Sequence, residues 1–284
     1  MKILYKLIFG ILVISWSSIL IRWTGNVHPL IITFYRLLIS AVLIFPFVAK
    51  QFPATLKKSA PHKYHLIAAA FFLTMHFYTW ITSLQLTTVG NSIFLESTHP
   101  LFGWILSIIV LKEKASKALF PALILGLAGM YFTIAGNLFS GSIAFTGDLL
   151  ALVSAFCIAA YLIVARTLRN EFELLPYLFL VYGIAAFLTL ILLGFNQLKF
   201  WSVPAESWKF IFLLAIGPNL IGHSMLNFAS RYIPVYKVNM ALLSESVLAT
   251  IYAGLLLNEI PEVRFYIGAV LIILAIGSVF FARK

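Results

Sequence analysis

The chain has 284 residues, 62% of them apolar and only 10% charged. A water-soluble domain usually carries roughly 25% charged residues, so this composition excludes a soluble enzyme or binding module with an ordinary wet surface. The net charge of +11 invites a nucleic-acid reading, but the Lys and Arg residues stand at the ends of apolar runs and in alternate loops, and no basic face remains for a nucleic acid.

A membrane hydrocarbon core of about 30 Å is crossed by about 20 apolar residues in helix. Ten such runs are predicted, near residues 3–21, 30–49, 65–84, 91–111, 118–136, 148–165, 175–194, 209–229, 238–257 and 265–282. Their connections are short, so the helices form one bundle. In the first run, Lys2 and Lys6 before the apolar stretch imitate a signal peptide. The run continues to about Ile21 with no small-x-small cleavage site, so it is read as a retained span. It carries Trp16, either an aromatic wall of a binding site or a lipid-facing residue.

The second span follows Pro29 and carries Tyr35 and Arg36. A guanidinium keeps its charge, so inside a membrane Arg36 needs an anion. The choices are a substrate carboxylate, Glu96 or Glu245. The third span sets His76, Thr79, Trp80 and Ser83 on one face, with Tyr78 flanking. The fourth places Ser92, Glu96, His99, Gly103 and Ser107 on one helical face. Pro100 removes a backbone hydrogen bond there. An ionisable group at the centre of a span costs at least about 2.5–3.5 kcal/mol. Glu96 and His99 therefore read as a substrate or proton site, or as a pair that only ties helices together.

The fifth span is nearly free of polar residues and carries Ala122 and Gly126, a spacing that lets helices approach closely. The sixth holds the single Cys157, so no disulfide or cysteine metal site can form within one chain. It also holds Tyr161, an aromatic wall or a core residue. The eighth carries Asn219, His223 and Asn227 at four-residue intervals. Facing the polar stripe of the third span across a pseudo-two-fold axis, this stripe would wall a polar cavity. Any single Asn is equally a helix–helix hydrogen bond. The ninth carries Glu245 between Ser244 and Ser246, with Thr250 and Gly254 further on. Glu245 serves transport, or pairs with Arg36 or Lys237. The fifth and tenth spans read as packing or dimer surfaces. Trp23, Trp201 and Trp208 fit an interfacial aromatic belt.

The loops set orientation. Fifteen basic residues fall on one set of loops and ends, four (Arg22, Lys199, Lys209 and Arg264) on the other, and Arg36 lies inside a span. By the positive-inside rule both termini are cytoplasmic. The alternation stays in phase over all ten spans, as it would not if one were missed.

The halves align at an offset of 146, which puts Leu111-Lys112-Glu113 on Leu257-Asn258-Glu259, Thr98 on Ser244 and Pro100 on Ser246. The first of these loops is cytoplasmic and its counterpart external, so the halves are inverted copies. Here the chain resembles two EamA modules of the ten-span drug/metabolite transporter superfamily. The resemblance is carried by Phe34-Tyr35-Arg36 after Pro29 and by the stretch from His76 through Pro100 to Glu113. In the second half it rests on Gly147-Asp148-Leu149-Leu150-Ala151-Leu152 and on Ser244-Glu245-Ser246 through Glu259. It implies an all-α membrane protein of ten transmembrane helices in two inverted five-helix repeats, residues 1–140 and 141–284. It also implies export or uptake of small metabolites, often amino acids, by alternating access. The family often places Pro after the Glu of the ninth span. Ser246 stands there instead, which leaves the expected bend without its proline.

No GxxxxGK[ST] phosphate loop, HExxH motif or Gly-x-Ser-x-Gly elbow occurs, so neither ATP, a metal nor any other cofactor is expected. The expected protein is a carrier of the inner or plasma membrane. Its partners are a small molecule and the lipid bilayer, with no nucleic acid. Its site is placed near the midplane between spans 1–4 and 6–9. Trp16, Tyr35, Arg36, His76, Tyr78, Trp80, Glu96, His99, Tyr161, Asn219, His223, Asn227 and Glu245 are the candidate cavity residues. Two carboxylates, one Arg and three His suit an amino-acid-like zwitterion or cation, with export expected and Glu96 or Glu245 as proton carrier. The rivals are an intramembrane enzyme on lipid headgroups, with His99 and Glu96 as acid and base, and a lipid-carrier flippase.

Overall fold

The computed structural model describes residues 2–87, 89–112, 119–134, 142–257 and 263–281. Glu113, Asn258 and Glu259 of the aligned loops, and the expected boundary between residues 140 and 141, lie outside them. The described residues are helical throughout their spans. In lipid no water is at hand to satisfy backbone N–H and C=O groups, and a helix satisfies them within itself.

The first span is two helices, α1 (Lys2–Ile14) and α2 (Ser17–Trp23). The second is α3 (Pro29–Val48), opened by Pro29 and by His28, whose Nδ1 accepts from the Leu30 N–H at 3.2 Å. A short helix, α4 (Phe52–Ser59), leads to the third span, α5 (Lys63–Leu86). The fourth is split into α6 (Val89–Glu96) and α7 (His99–Ile109), and the fifth is α8 (Leu119–Ile134). The sixth and seventh are α9 (Ser142–Thr167) and α10 (Leu174–Phe195). The eighth runs from α11 (Ala205–Leu214) through a π-helical segment, Ala215–His223, into α12 (Ser224–Tyr232). The ninth is α13 (Val235–Leu242) and α14 (Ser244–Leu257), and the tenth is α15 (Val263–Phe281).

Among the described residues six stretches are long and apolar enough to cross a membrane, and one of them, Pro29–Leu86, holds both the second and third spans. The shorter apolar helices His99–Ile109, Leu119–Gly129 and Tyr266–Ser278 belong to the fourth, fifth and tenth spans.

The spans pack across the halves in a regular way. The third lies on the sixth, the fifth on the tenth, the second on the seventh, the first on the eighth and the fourth on the ninth. Adding five to every span number returns the same set of pairs, as a two-fold relation between inverted halves requires. Small residues allow the closest crossings. A Cβ at Gly10 would lie 2.6 Å from Met225 Cβ and 3.2 Å from the Gly222 carbonyl, so α1 and the π-helical segment meet backbone to backbone. A Cβ at Gly129 would lie 2.8 Å from the Gly268 carbonyl, where α8 meets α15. The small-residue face of the fifth span, with Ala122 buried and Gly126 facing Ala275, is thus used inside the chain.

The loops gather at two ends. At one, His62 lies 3.4 Å from Glu171, and Arg231 Nη1 donates to the carbonyls of Arg169 (3.2 Å) and Phe172 (2.6 Å). Arg166 Nη1 donates in return to Ser230 and Ile233 carbonyls at 2.5 and 3.1 Å. At the other, Trp23 packs on Phe210, Tyr35 on Trp208, and Ser207 donates to the Thr24 carbonyl at 2.9 Å. The loops near residues 62, 170 and 232 therefore share one end, and those near residues 24 and 205 share the other.

Among the described residues four spans are irregular: the eighth through its π-helical segment, and three at breaks between helices. Ser15 bonds the Ile11 carbonyl (2.8 Å) where α1 gives way to α2. Thr98 bonds the Leu95 carbonyl (2.6 Å) where α6 gives way to α7. In the ninth span Ser244 and Ser246 bond the carbonyls of Ala241 (2.6 Å) and Leu243 (2.8 Å). Hydroxyls that take carbonyls three or four residues back compete with the helix ladder and bend it. The break in the ninth span therefore exists without a proline at position 246. Irregular backbone at membrane depth is tolerated only inside protein or beside a cavity, and these interruptions enclose one.

Candidate substrate site

A cavity of about 20 Å³ lies at the meeting of the interrupted spans, lined by Ile14, Ser17, His76, Trp80, Glu96, Ile158, His223, Leu226, Leu242 and Glu245. Spans from both halves contribute, and each half supplies one carboxylate and one imidazole. The volume has room for about one water molecule. A metabolite is larger than that and does not fit the cavity as it stands.

The break after Glu96 ends α6 and leaves its carboxylate at the cavity; α14 begins at Ser244 and presents Glu245 from its first turn. Two carboxylates on one cavity of this size repel, and a cation or a proton between them relieves the repulsion. Trp80 is buried, stacks parallel to His76 (6.2 Å, 5°), and its indole N–H has no hydrogen-bond partner among the described residues. His76 is held from the sixth span by Ser154, whose Oγ lies 2.8 Å from Nδ1 and also donates to the His76 carbonyl at 3.2 Å.

Five of the thirteen expected residues therefore line the cavity: His76, Trp80, Glu96, His223 and Glu245. Others build its walls. His99 has Nδ1 3.0 Å from the Glu96 carbonyl and 3.8 Å from its carboxylate, and Nε2 3.1 Å from the Asn239 carbonyl. It ties the fourth span to the ninth. Asn227 donates to the buried Tyr161 hydroxyl at 2.7 Å and to the His223 carbonyl at 2.8 Å. Asn219 donates to Ser40 Oγ (2.8 Å) and to the Arg36 carbonyl (3.3 Å), while Ser40 also donates to Ala215 (2.9 Å) and Tyr182 to Asn219 (3.2 Å). Carbonyls of the π-helical segment are thus satisfied by its neighbours. Arg36 lies behind the wall, its Cζ 3.7 Å over the Phe77 ring. Tyr78 is half-buried and not part of the lining. Trp16 packs on Tyr252 at the periphery (4.8 Å), and Tyr35 packs on Trp208 (4.6 Å) near the outer belt.

Two features escape a search for ionisable residues. Ser17 and Ser154 look like ordinary small residues in a span, yet one lines the cavity and the other holds His76. Asn239 is fully buried, neither of its amide atoms has a partner among the described residues, and a Cβ at Gly103 would strike it. An uncharged amide in an apolar helix was the one available signal. Among the described residues no cluster of His, Cys, Asp and Glu is placed to hold a metal ion.

A multi-pass helical membrane protein with a polar cavity between two halves has the build of a membrane transporter. Residues 2–135 and 145–281 match the EamA-like transporter family, and the chain belongs to it. It is a membrane transporter of small metabolites. It is 23% identical over 272 residues to an S-adenosylmethionine uptake transporter of Rickettsia bellii (strain RML369-C), covering 95% of this chain and 90% of the relative. The corresponding transporter of Rickettsia prowazekii (strain Madrid E) is 22% identical over 275 residues, covering 95% and 89%. A solved crystal structure of a protein 18% identical in sequence superposes with a TM-score of 0.81 over 98% of this chain and 96% of the other.

Proposed function

We propose that the chain carries a small amino-acid-like metabolite with a positively charged group, by alternating access, across the cell membrane with both termini in the cytoplasm. The observation that carries this is the meeting of Glu96 and Glu245, one from each half, beside Trp80 on a single cavity. Carboxylates and an aromatic face together recognise an organic cation. S-adenosylmethionine, the substrate in the names of the relatives above, has a sulfonium cation and an amino-acid end, and it is the first ligand to test. Uptake, rather than the export expected from the sequence, is the direction those names carry. A carrier cycle runs either way, and the gradient sets its net direction. The enzyme reading loses support because His99 has both ring nitrogens within hydrogen-bond distance of backbone carbonyls.

The test is uptake of radiolabelled S-adenosylmethionine into proteoliposomes. The expected result is saturable uptake that falls by about tenfold or more in Glu245→Gln, the loss of one charge-assisted contact. Uptake no greater than in protein-free liposomes would reject this substrate. Repeating the assay under an imposed pH gradient tests proton coupling. Equal gradient dependence in wild type, Glu96→Gln and Glu245→Gln removes both carboxylates as proton carriers.

A further inference from the structure

Arg36 is fully buried, and none of its three guanidinium nitrogens has a hydrogen-bond partner among the described residues. The ion pairs found there within 4 Å are His62–Glu171 and Glu96–His99; Glu245 attracts Arg36 across a longer gap without a hydrogen bond to it. A guanidinium stays charged and offers five N–H donors in a planar fork. A buried guanidinium with no hydrogen-bonded anion is costly, and with Glu245 out of contact its donors are left to an anion that arrives during the working cycle.

The surroundings say where that anion comes from. The guanidinium lies 3.7 Å over the ring of Phe77, and Phe77 stands edge-on to His223 (5.1 Å, 90°), which lines the cavity. One aromatic ring therefore stands between the buried cation and His223 of the cavity wall. Two more polar atoms at this wall, Asn219 Oδ1 and His223 Nδ1, also have no hydrogen-bond partner among the described residues. The backbone of Arg36 is meanwhile fixed by Ser40 and Asn219, at 2.7 and 3.3 Å from its carbonyl.

We infer that Arg36 is a carboxylate-binding subsite, reached from the cavity when Phe77 moves aside, and that it takes the carboxylate of the substrate while Glu96 and Glu245 take its cationic end. This rests on the substrate class proposed above. The fork of a guanidinium matches a carboxylate with two parallel hydrogen bonds. A ring face is a weaker partner, so an arriving carboxylate displaces it.

The test is equilibrium binding of S-adenosylmethionine and of its decarboxylated analogue to the purified wild type, Arg36→Lys and Arg36→Gln. The wild type should bind the carboxylate form at least about tenfold more tightly. Arg36→Gln should lower that form to the level of the analogue and leave the analogue unchanged, with partial recovery in Arg36→Lys. Equal wild-type affinity for both ligands, or equal weakening of both in Arg36→Gln, overturns the assignment; the first outcome needs no variant to fold. A wild type that binds neither rejects the substrate instead. The twenty amino acids against their amides then carry the test in the same assay, and no carboxylate preference that depends on Arg36 overturns the subsite.

Discussion

Trp16 and Trp80 read alike in the sequence, as aromatic residues in apolar helices, and they occupy opposite surroundings. Trp16 is 36% exposed and leans on Tyr252, whereas Trp80 is 5% exposed and forms part of the cavity wall against His76. If the cavity receives a cation, Trp80→Ala should weaken ligand binding by about tenfold or more through loss of the aromatic face. Trp16→Ala should leave affinity within about twofold, as for a peripheral residue. Binding measured by thermal shift across a ligand series checks both, and a larger effect at Trp16 would reverse the placement. Residues of one type were separable here only after the helices were packed. Charge was easier: a carboxylate inside a span has few places to go, and Glu96 and Glu245 both reached the cavity. Asn239 was harder, because an amide carries a smaller penalty than a charge and one Asn in a helix is unremarkable.

At the scale of elements, the spans were legible because hydrocarbon thickness dictates their length and polar loops punctuate them. Of the interruptions, the one in the fourth span was marked by Pro100, which stands in the first turn of α7; those in the first and ninth were not, because side-chain hydroxyls accompany them and their choice of carbonyl depends on local packing. Thr98 bonding Leu95 and Ser244 bonding Ala241 stand at the 146-residue offset, so both halves break the same helix by the same device. The π-helical segment holds Pro218 and is met by α1 at Gly10 and Gly222. Gly222→Val should destabilise the protein by about 1–3 kcal/mol through overpacking against Ile14, read as a lower melting temperature in detergent. Pro218→Ala should straighten the segment. We expect ligand affinity to be kept and turnover in proteoliposomes to be slowed; unchanged turnover would show that the irregularity serves packing alone.

At the scale of the molecule, the fifth and tenth spans form a seam between the halves that is closed within one chain. A Cβ at Gly126 would lie 3.7 Å from Ala275 Cβ, inside the range of about 3.5–4.5 Å found in disulfides. Gly126→Cys with Ala275→Cys, in a Cys157→Ser background, should cross-link under mild oxidation and shift the monomer band on a denaturing gel. Transport should survive if the seam is a static scaffold. Cross-linked dimers in place of the shifted monomer would mean that this face meets a second copy instead.

The packing pairs are symmetric, but their backbones are not. The first and eighth spans are interrupted where they meet, while the third and sixth, their counterparts under the two-fold relation, are the unbroken helices α5 and α9. If the proposed carrier opens at these two pairs in turn, the irregular pair should move more easily than the unbroken one. Unequal barriers to the two openings would then give different half-saturation concentrations when substrate is offered from the two faces. Thermodynamics still forbids an uncoupled carrier from accumulating anything. The asymmetry would show as a lower half-saturation from one face, offset by a lower maximal rate from that face, and both would trace to one irregular pair of helices.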